Sequence, residues 1–249
     1  MKQALTWAAG GTLFLFAMTT LGAAAVFLFA REPRPRLHRW LLGFAAGIMT
    51  AASVWSLLLP AMARAASLGL PPWLPACLGT LAGALFLWGL DAALPRLRRP
   101  EGASRETALL VTAITLHNIP EGMAVGLSFA LAAGGEGFAA AAALALGIGV
   151  QNVPEGAAVA LPLRQEGMSR PRAFSAAALS GAVEPLFGVA VVAAAGAAQR
   201  CMPWLLAFAA GAMLYVVVEE LIPQAQGGGG TCGYLAGFLL MMVLDTALA

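Results

Sequence analysis

Two copies of one short pattern place carboxylates, amides and an imidazole inside apolar sequence. Residues 115–125 read Thr-Leu-His117-Asn118-Ile-Pro120-Glu121-Gly122-Met-Ala-Val. Thirty-four positions later the chain reads Gly-Val-Gln151-Asn152-Val-Pro154-Glu155-Gly156-Ala-Ala-Val. A charged side chain at a bilayer centre costs roughly 2.5–3.5 kcal/mol on insertion scales, so an intramembrane Glu marks a functional site, and a repeated one marks it more firmly. On a helix, His117 and Glu121 are i,i+4 neighbours and Asn118 is i,i+3 from Glu121, which puts all three on one face. Gln151, Asn152 and Glu155 repeat the arrangement. Each Pro removes a backbone hydrogen bond and frees the carbonyl four residues earlier, those of Leu116 and Val150. Freed groups at membrane depth are tolerated where they face protein or a watery cavity. Two such helices side by side would gather one imidazole, two carboxylates and amide oxygens around a common point, a site for a divalent cation.

Further candidates lie outside the pair. Glu184, followed by Pro185, is another carboxylate in an apolar run and could complete a second metal position with Asn118, Asn152 and the two motif glutamates. Met49 could offer a soft thioether. Glu219 and Glu220 near one end of a span, and Asp245 near the end of the last, fit either snorkelling to the interface or relays at a metal entrance or exit. Asp91 is read as paired with Arg96 or a neighbouring Arg, and His38 as solvated. Imidazole, carboxylate and amide ligands without a thiolate suit Zn²⁺, Fe²⁺, Mn²⁺ or Cd²⁺ and argue against Cu(I). Cys77, Cys201 and Cys232 make neither a disulfide framework nor a zinc-thiolate pattern and read as small buried hydrophobes.

The elements that must position these residues are membrane helices. Of 249 residues, 60% are hydrophobic and only 10% charged, the mean hydropathy is +0.83, and several apolar runs exceed the ~18 residues that suffice to cross a bilayer. The fold class is therefore all-α and polytopic, one transmembrane domain over 1–249. Eight spans are expected at about 4–30, 40–63, 73–95, 107–133, 137–163, 173–198, 203–224 and 231–248. The first has signal-peptide features but the length of a retained helix. Connections 31–39, 96–106 and 164–172 carry four, four and three Arg, so eleven of the fourteen Lys and Arg fall on one side. That side is expected to be cytoplasmic, with both termini outside. Leu41-Leu-Gly-Phe-Ala-Ala-Gly47-Ile-Met49 is echoed by Leu205-Leu-Ala-Phe-Ala-Ala-Gly211-Ala-Met213, and each run reaches a Pro, Pro60 and Pro223. These spans, like the fourth and fifth, would run in opposite directions, as in the inverted repeats (3+2+3) of secondary transporters.

At the paired motifs, and at Phe44–Ser53 and Pro60-Ala61, the sequence resembles the ZIP family of metal transporters, particularly its GufA-like subfamily. The resemblance covers nearly the whole chain. It implies a binuclear site halfway across the membrane: Met49, His117, Glu121, Gln151 and Glu155 at one position, Asn118, Asn152 and Glu184 at the other, with Glu121 and Glu155 bridging. It implies uptake into the cytoplasm across the inner (plasma) membrane, an elevator-like slide of spans 1, 4, 5 and 6 against 2, 3, 7 and 8, and a homodimer as one form of assembly. Asp245 matches a carboxylate at the family's outer entrance. This chain departs from the pattern in having Asn152 where some relatives carry Asp, Gln151 in place of a second His, and a short third connection without metal-binding histidines.

The function expected is uptake of divalent metal, Zn²⁺ foremost, by alternating access. The metal is substrate rather than catalyst, and no enzymatic activity is expected. Partners are the metal and the lipid bilayer, not nucleic acid. A metal-selective channel or a cation/proton exchanger could use the same carboxylates. An intramembrane metalloenzyme fits less well, since His-Glu-x-x-His is absent and a catalytic zinc needs three ligands and an open position.

Overall fold

A computed structural model describes residues 2–28, 35–93, 105–135, 137–197 and 199–248. The arginine-rich connections at 29–34 and 94–104 lie outside the described residues, as do the side chains of His38, Asp91 and His117. Every described element is a helix: α1 (Lys2–Ala23), α2 (Ala25–Leu28), α3 (Pro35–Ala52), α4 (Leu59–Ser67), α5 (Trp73–Ala93), α6 (Arg105–Ala133), α7 (Phe138–Gln165), α8 (Arg170–Ser180), α9 (Val183–Ala197), α10 (Met202–Val216), α11 (Ile222–Ala225) and α12 (Gly228–Leu248). Seven of the spans they form are long and apolar enough to cross a membrane, and α6, at 29 residues, matches them in length. In hydrocarbon only helices and closed barrels satisfy their own backbone, so this is a polytopic helical membrane protein. Large apolar side chains such as Leu21, Trp73, Leu85, Trp88, Leu186 and Leu239 face outward, where lipid would meet them.

The eight expected spans are present, with interior breaks the hydropathy pattern does not show. Span six is α8 and α9, interrupted at Gly181-Ala182. Pro185 has no N–H and its ring crowds the carbonyl four residues back, so the helix restarts instead of continuing. Spans two and seven each contain a π-helical stretch, Ser53–Leu58 between α3 and α4 and Val217–Leu221 between α10 and α11. Both precede a proline, Pro60 or Pro223, which cannot donate to the carbonyl of Ser56 or Glu219. The helix widens there instead: Leu59 N–H reaches Val54 O and Ile222 N–H reaches Val217 O, each five residues back. π-bulges of this kind concentrate at functional sites.

Packing follows the inverted repeat. α3 lies mainly against α12, as α10 does against α5; α1 lies against α7, as α9 does against α6. In each comparison the first three spans exchange with the last three and the fourth with the fifth. A Gly-x-Leu-Ala-Gly pair lets two of these helix pairs approach closely, at Gly79 and Gly83 in α5 and at Gly233 and Gly237 in α12. A Cβ at Gly83 would overlap Phe208 O, and one at Gly237 would overlap Phe44 O. Phe44 and Phe208 are themselves equivalent in the repeat. Small residues here let helix backbones touch, which in lipid replaces hydrophobic drive as the source of association.

The cysteines correct one expectation. Cys77, Cys201 and Cys232 are free but exposed rather than buried. Cys77 and Cys232 lie on α5 and α12, whose outer faces are largely apolar side chains, so a thiol stays in apolar surroundings without entering the core.

Candidate metal centre

α6 and α7 carry the paired motifs and pack on each other. Asn118, Glu121, Gln151, Asn152 and Glu184 are fully buried, and Glu155 is 6% exposed. Each amide spends its N–H groups on the protein. Asn118 Nδ2 donates to Ser180 O at 3.0 Å, and Gln151 Nε2 donates to Glu121 Oε1. Asn152 Nδ2 donates to Glu184 Oε1 at 2.8 Å and to Thr19 Oγ1 at 3.1 Å. What remains are acceptors. Asn118 Oδ1, Gln151 Oε1, Asn152 Oδ1, Glu121 Oε2, Glu184 Oε2 and both oxygens of Glu155 are buried without a hydrogen-bond partner among the described residues. Glu121 also lies within electrostatic reach of Glu155 and Glu184.

Buried polar groups are normally satisfied, and orphaned carboxylate oxygens cost the most. Seven acceptor atoms without a partner among the described residues are what a hard or borderline cation would satisfy. The chemistry of the set is oxygen-rich and thiolate-free, which fits Zn²⁺, Fe²⁺, Mn²⁺ or Cd²⁺. Among the described residues, no three His, Cys, Asp or Glu side chains form a metal-binding group by themselves.

The break in span six builds part of this arrangement. Glu184 N–H turns back to Gly181 O at 3.1 Å, one residue short of the α-helical partner. The carbonyl of Ser180 is thereby left for Asn118. Both motif glycines mark close backbone approaches: a Cβ at Gly122 would overlap the backbone of Glu184, and one at Gly156 would overlap Thr19 O. Glu184 on α9 and Thr19 on α1 thus occupy equivalent places in the repeat, and they meet, Thr19 Oγ1 lying 3.1 Å from Glu184 Oε1.

Six of the expected ligands, Asn118, Glu121, Gln151, Asn152, Glu155 and Glu184, are therefore buried together on the elements that carry them. The helix holding His117 is described, but its side chain lies outside the described residues. Met49 is fully buried within the apolar core, where its sulfur would otherwise count as packing. Asp245 is 6% exposed and accepts from Ser56 Oγ at 2.6 Å, tying α12 to the π-helical stretch of span two. Glu219 is exposed and Glu220 half-buried in the other π-helical stretch, apart from the amide–carboxylate array in sequence and element. Thr19 is the residue that sequence reasoning misses. Its signal is the spacing of Ala8, Gly11, Thr12, Leu15, Thr19 and Gly22, the buried stripe of α1, in which the polar members stand on the same face as the small ones.

An all-helical membrane bundle with an inverted repeat and a buried carboxylate–amide array defines a class, the polytopic transporters of small ions. Residues 98–245 match the family model described as ZIP Zinc transporter. The chain is 37% identical to Zinc transporter ZIP11 of Bos taurus over 96% of both chains. It is 40% identical to Zinc transporter ZIPB of Bordetella bronchiseptica over 94% of this chain and 78% of that one, and 39% identical to Zinc transporter GufA of Myxococcus xanthus over 68% and 70%. The chain belongs to the ZIP family, a family of transporters and not of enzymes.

Proposed function

We propose that this protein carries Zn²⁺, or a divalent ion of similar chemistry, into the cytoplasm across the inner (plasma) membrane. One observation carries the reading: the seven buried oxygens that find no donor among the described residues, gathered from α6, α7 and α9 where a cation would satisfy them. The relatives' names, all zinc transporters, support zinc as the first candidate. In this reading Glu121 and Glu155 bridge two positions. Met49, His117 and Gln151 complete the first, and Asn118, Asn152 and Glu184 the second. Both termini face outward, following the arginine-rich connections. The ion exchanges its hydration shell for protein oxygens at mid-membrane, and binding must be firm enough to load but weak enough to release. Spans 1, 4, 5 and 6 would move as one body against 2, 3, 7 and 8, since α1–α7 and α6–α9 are the principal contacts inside the first group and α3–α12 and α5–α10 those inside the second.

Equilibrium binding of ⁶⁵Zn²⁺ to purified protein tests the site. Two ions per chain in wild type, and fewer in both Glu121→Gln and Glu184→Gln, is the expected result. One ion per chain, unaffected by Glu184→Gln, would remove the second position. A carrier further predicts uptake that saturates with zinc; uptake rising linearly to high concentration would favour a channel.

A further inference from the structure

Thr19 stands outside every motif, yet its hydroxyl is at the junction of two candidate ligands. Oγ1 accepts from Asn152 Nδ2 at 3.1 Å and lies 3.1 Å from Glu184 Oε1 and 3.2 Å from Leu15 O. A hydroxyl has one proton, so it donates to Glu184 or to the helix carbonyl while accepting from Asn152 in either case. The side chain has no room to leave: a Cβ at Gly181 would meet Thr19 Cβ at 2.9 Å, and the Thr19 carbonyl lies under Gly156.

We infer that Thr19 is a positioning residue for the second metal position, fixing which end of the Asn152 amide and which oxygen of Glu184 face the ion. Asn152 has two N–H protons, one spent on Thr19 and one on Glu184, and this pins its oxygen away from both. Glu184 Oε1 takes the hydrogen bond of Asn152 and lies within donating distance of the Thr19 hydroxyl, which leaves Oε2 open. The two atoms so presented, Asn152 Oδ1 and Glu184 Oε2, are both among the buried oxygens without a partner. Without the hydroxyl, one Asn152 proton loses its acceptor, and only the hydrogen bond to Glu184 Oε1 still holds the amide against a flip that turns N–H toward the ion's place. A flipped amide presents a donor where a cation needs an acceptor. Thr19 therefore acts on affinity through Asn152 and Glu184, and this rests on the reading that those residues bind metal.

The test is Zn²⁺ binding and ⁶⁵Zn²⁺ uptake by the full chain with Thr19→Val, which keeps the shape and removes the hydroxyl, and Thr19→Ser, which keeps the hydroxyl. Loss of a hydrogen bond to a charged group corresponds to about a tenfold change in an equilibrium constant. Thr19→Val should weaken binding of the second zinc about tenfold with the metal-free protein still folded, and Thr19→Ser should restore it to within about threefold. Wild-type affinity in Thr19→Val would overturn the inference while leaving the metal site intact. So would equal weakening in both variants with a lowered Tm, which would reduce Thr19 to packing. Absence of zinc binding in the wild type would overturn the transport reading and this inference with it.

Discussion

Glu155 has two buried carboxylate oxygens and no donor for either among the described residues, whereas Glu121 and Glu184 each receive a hydrogen bond from an amide. A buried charge without a partner is destabilising, and replacing it by a neutral group of the same shape removes that cost. Glu155→Gln is therefore expected to leave the metal-free protein at least as stable as wild type while abolishing the rise in Tm that zinc produces. For wild type at a hundredfold excess over Kd, that rise corresponds to about 2.7 kcal/mol. Thermal unfolding with and without zinc reads both; a clearly destabilised metal-free variant would contradict the assignment. Asn152→Asp has the opposite sign. It removes the donor to Glu184 and sets two carboxylates side by side, so the metal-free protein should lose on the order of 1–3 kcal/mol while zinc binds about tenfold more tightly. Unchanged affinity and turnover would show that the amide has no part in tuning release. Most of the array is legible from the chain because His117, Asn118, Glu121 and their echo are polar residues at helical spacing in apolar sequence, where each is costly. Thr19 is not legible in that way, because a threonine in a membrane span satisfies its hydroxyl on its own helix and attracts no notice.

The helices contribute by how closely they approach. Gly122 and Gly156 follow the motif glutamates in each copy, and each lies beneath the backbone of another span, α9 or α1. Adding a methyl group should force those helices apart, so Gly156→Ala is expected to cost about 1–3 kcal/mol by overpacking and to reduce zinc affinity by displacing Thr19 and Asn152. A denaturation series paired with zinc binding measures both; undisturbed stability would mean that the contact yields without cost. The repeat in spans two and seven is visible as matching letters, and so are its prolines. Their consequence, a π-helical stretch at equivalent places, is not, because a proline fixes only that a hydrogen bond is lost and not how the helix recovers. The break at Gly181-Ala182 is hidden for the same reason: hydropathy sees one apolar run, while Pro185 and the turn before it decide where the helix stops. The Gly-x-Leu-Ala-Gly match between α5 and α12 was open to inspection in the sequence, yet its meaning appears only when Phe208 and Phe44 are found over the two pairs.

Across the whole molecule, the principal pairings of the repeat fall inside each group of spans and not between the groups, as the proposed movement of one group against the other requires. In the proposed orientation, with eleven of fourteen basic residues on the cytoplasmic side, a periplasmic reporter such as alkaline phosphatase fused after Ala249 should be active. A cytoplasmic reporter active at that place instead would reverse the direction of transport. If a divalent ion crosses by way of the buried carboxylate–amide array, ⁶⁵Zn²⁺ uptake into proteoliposomes must depend on Glu155, which a comparison of wild type with Glu155→Gln measures. Saturable uptake by wild type, falling to the level of empty liposomes in a variant of undiminished Tm, is the predicted result. Uptake at the wild-type rate in Glu155→Gln would contradict the account.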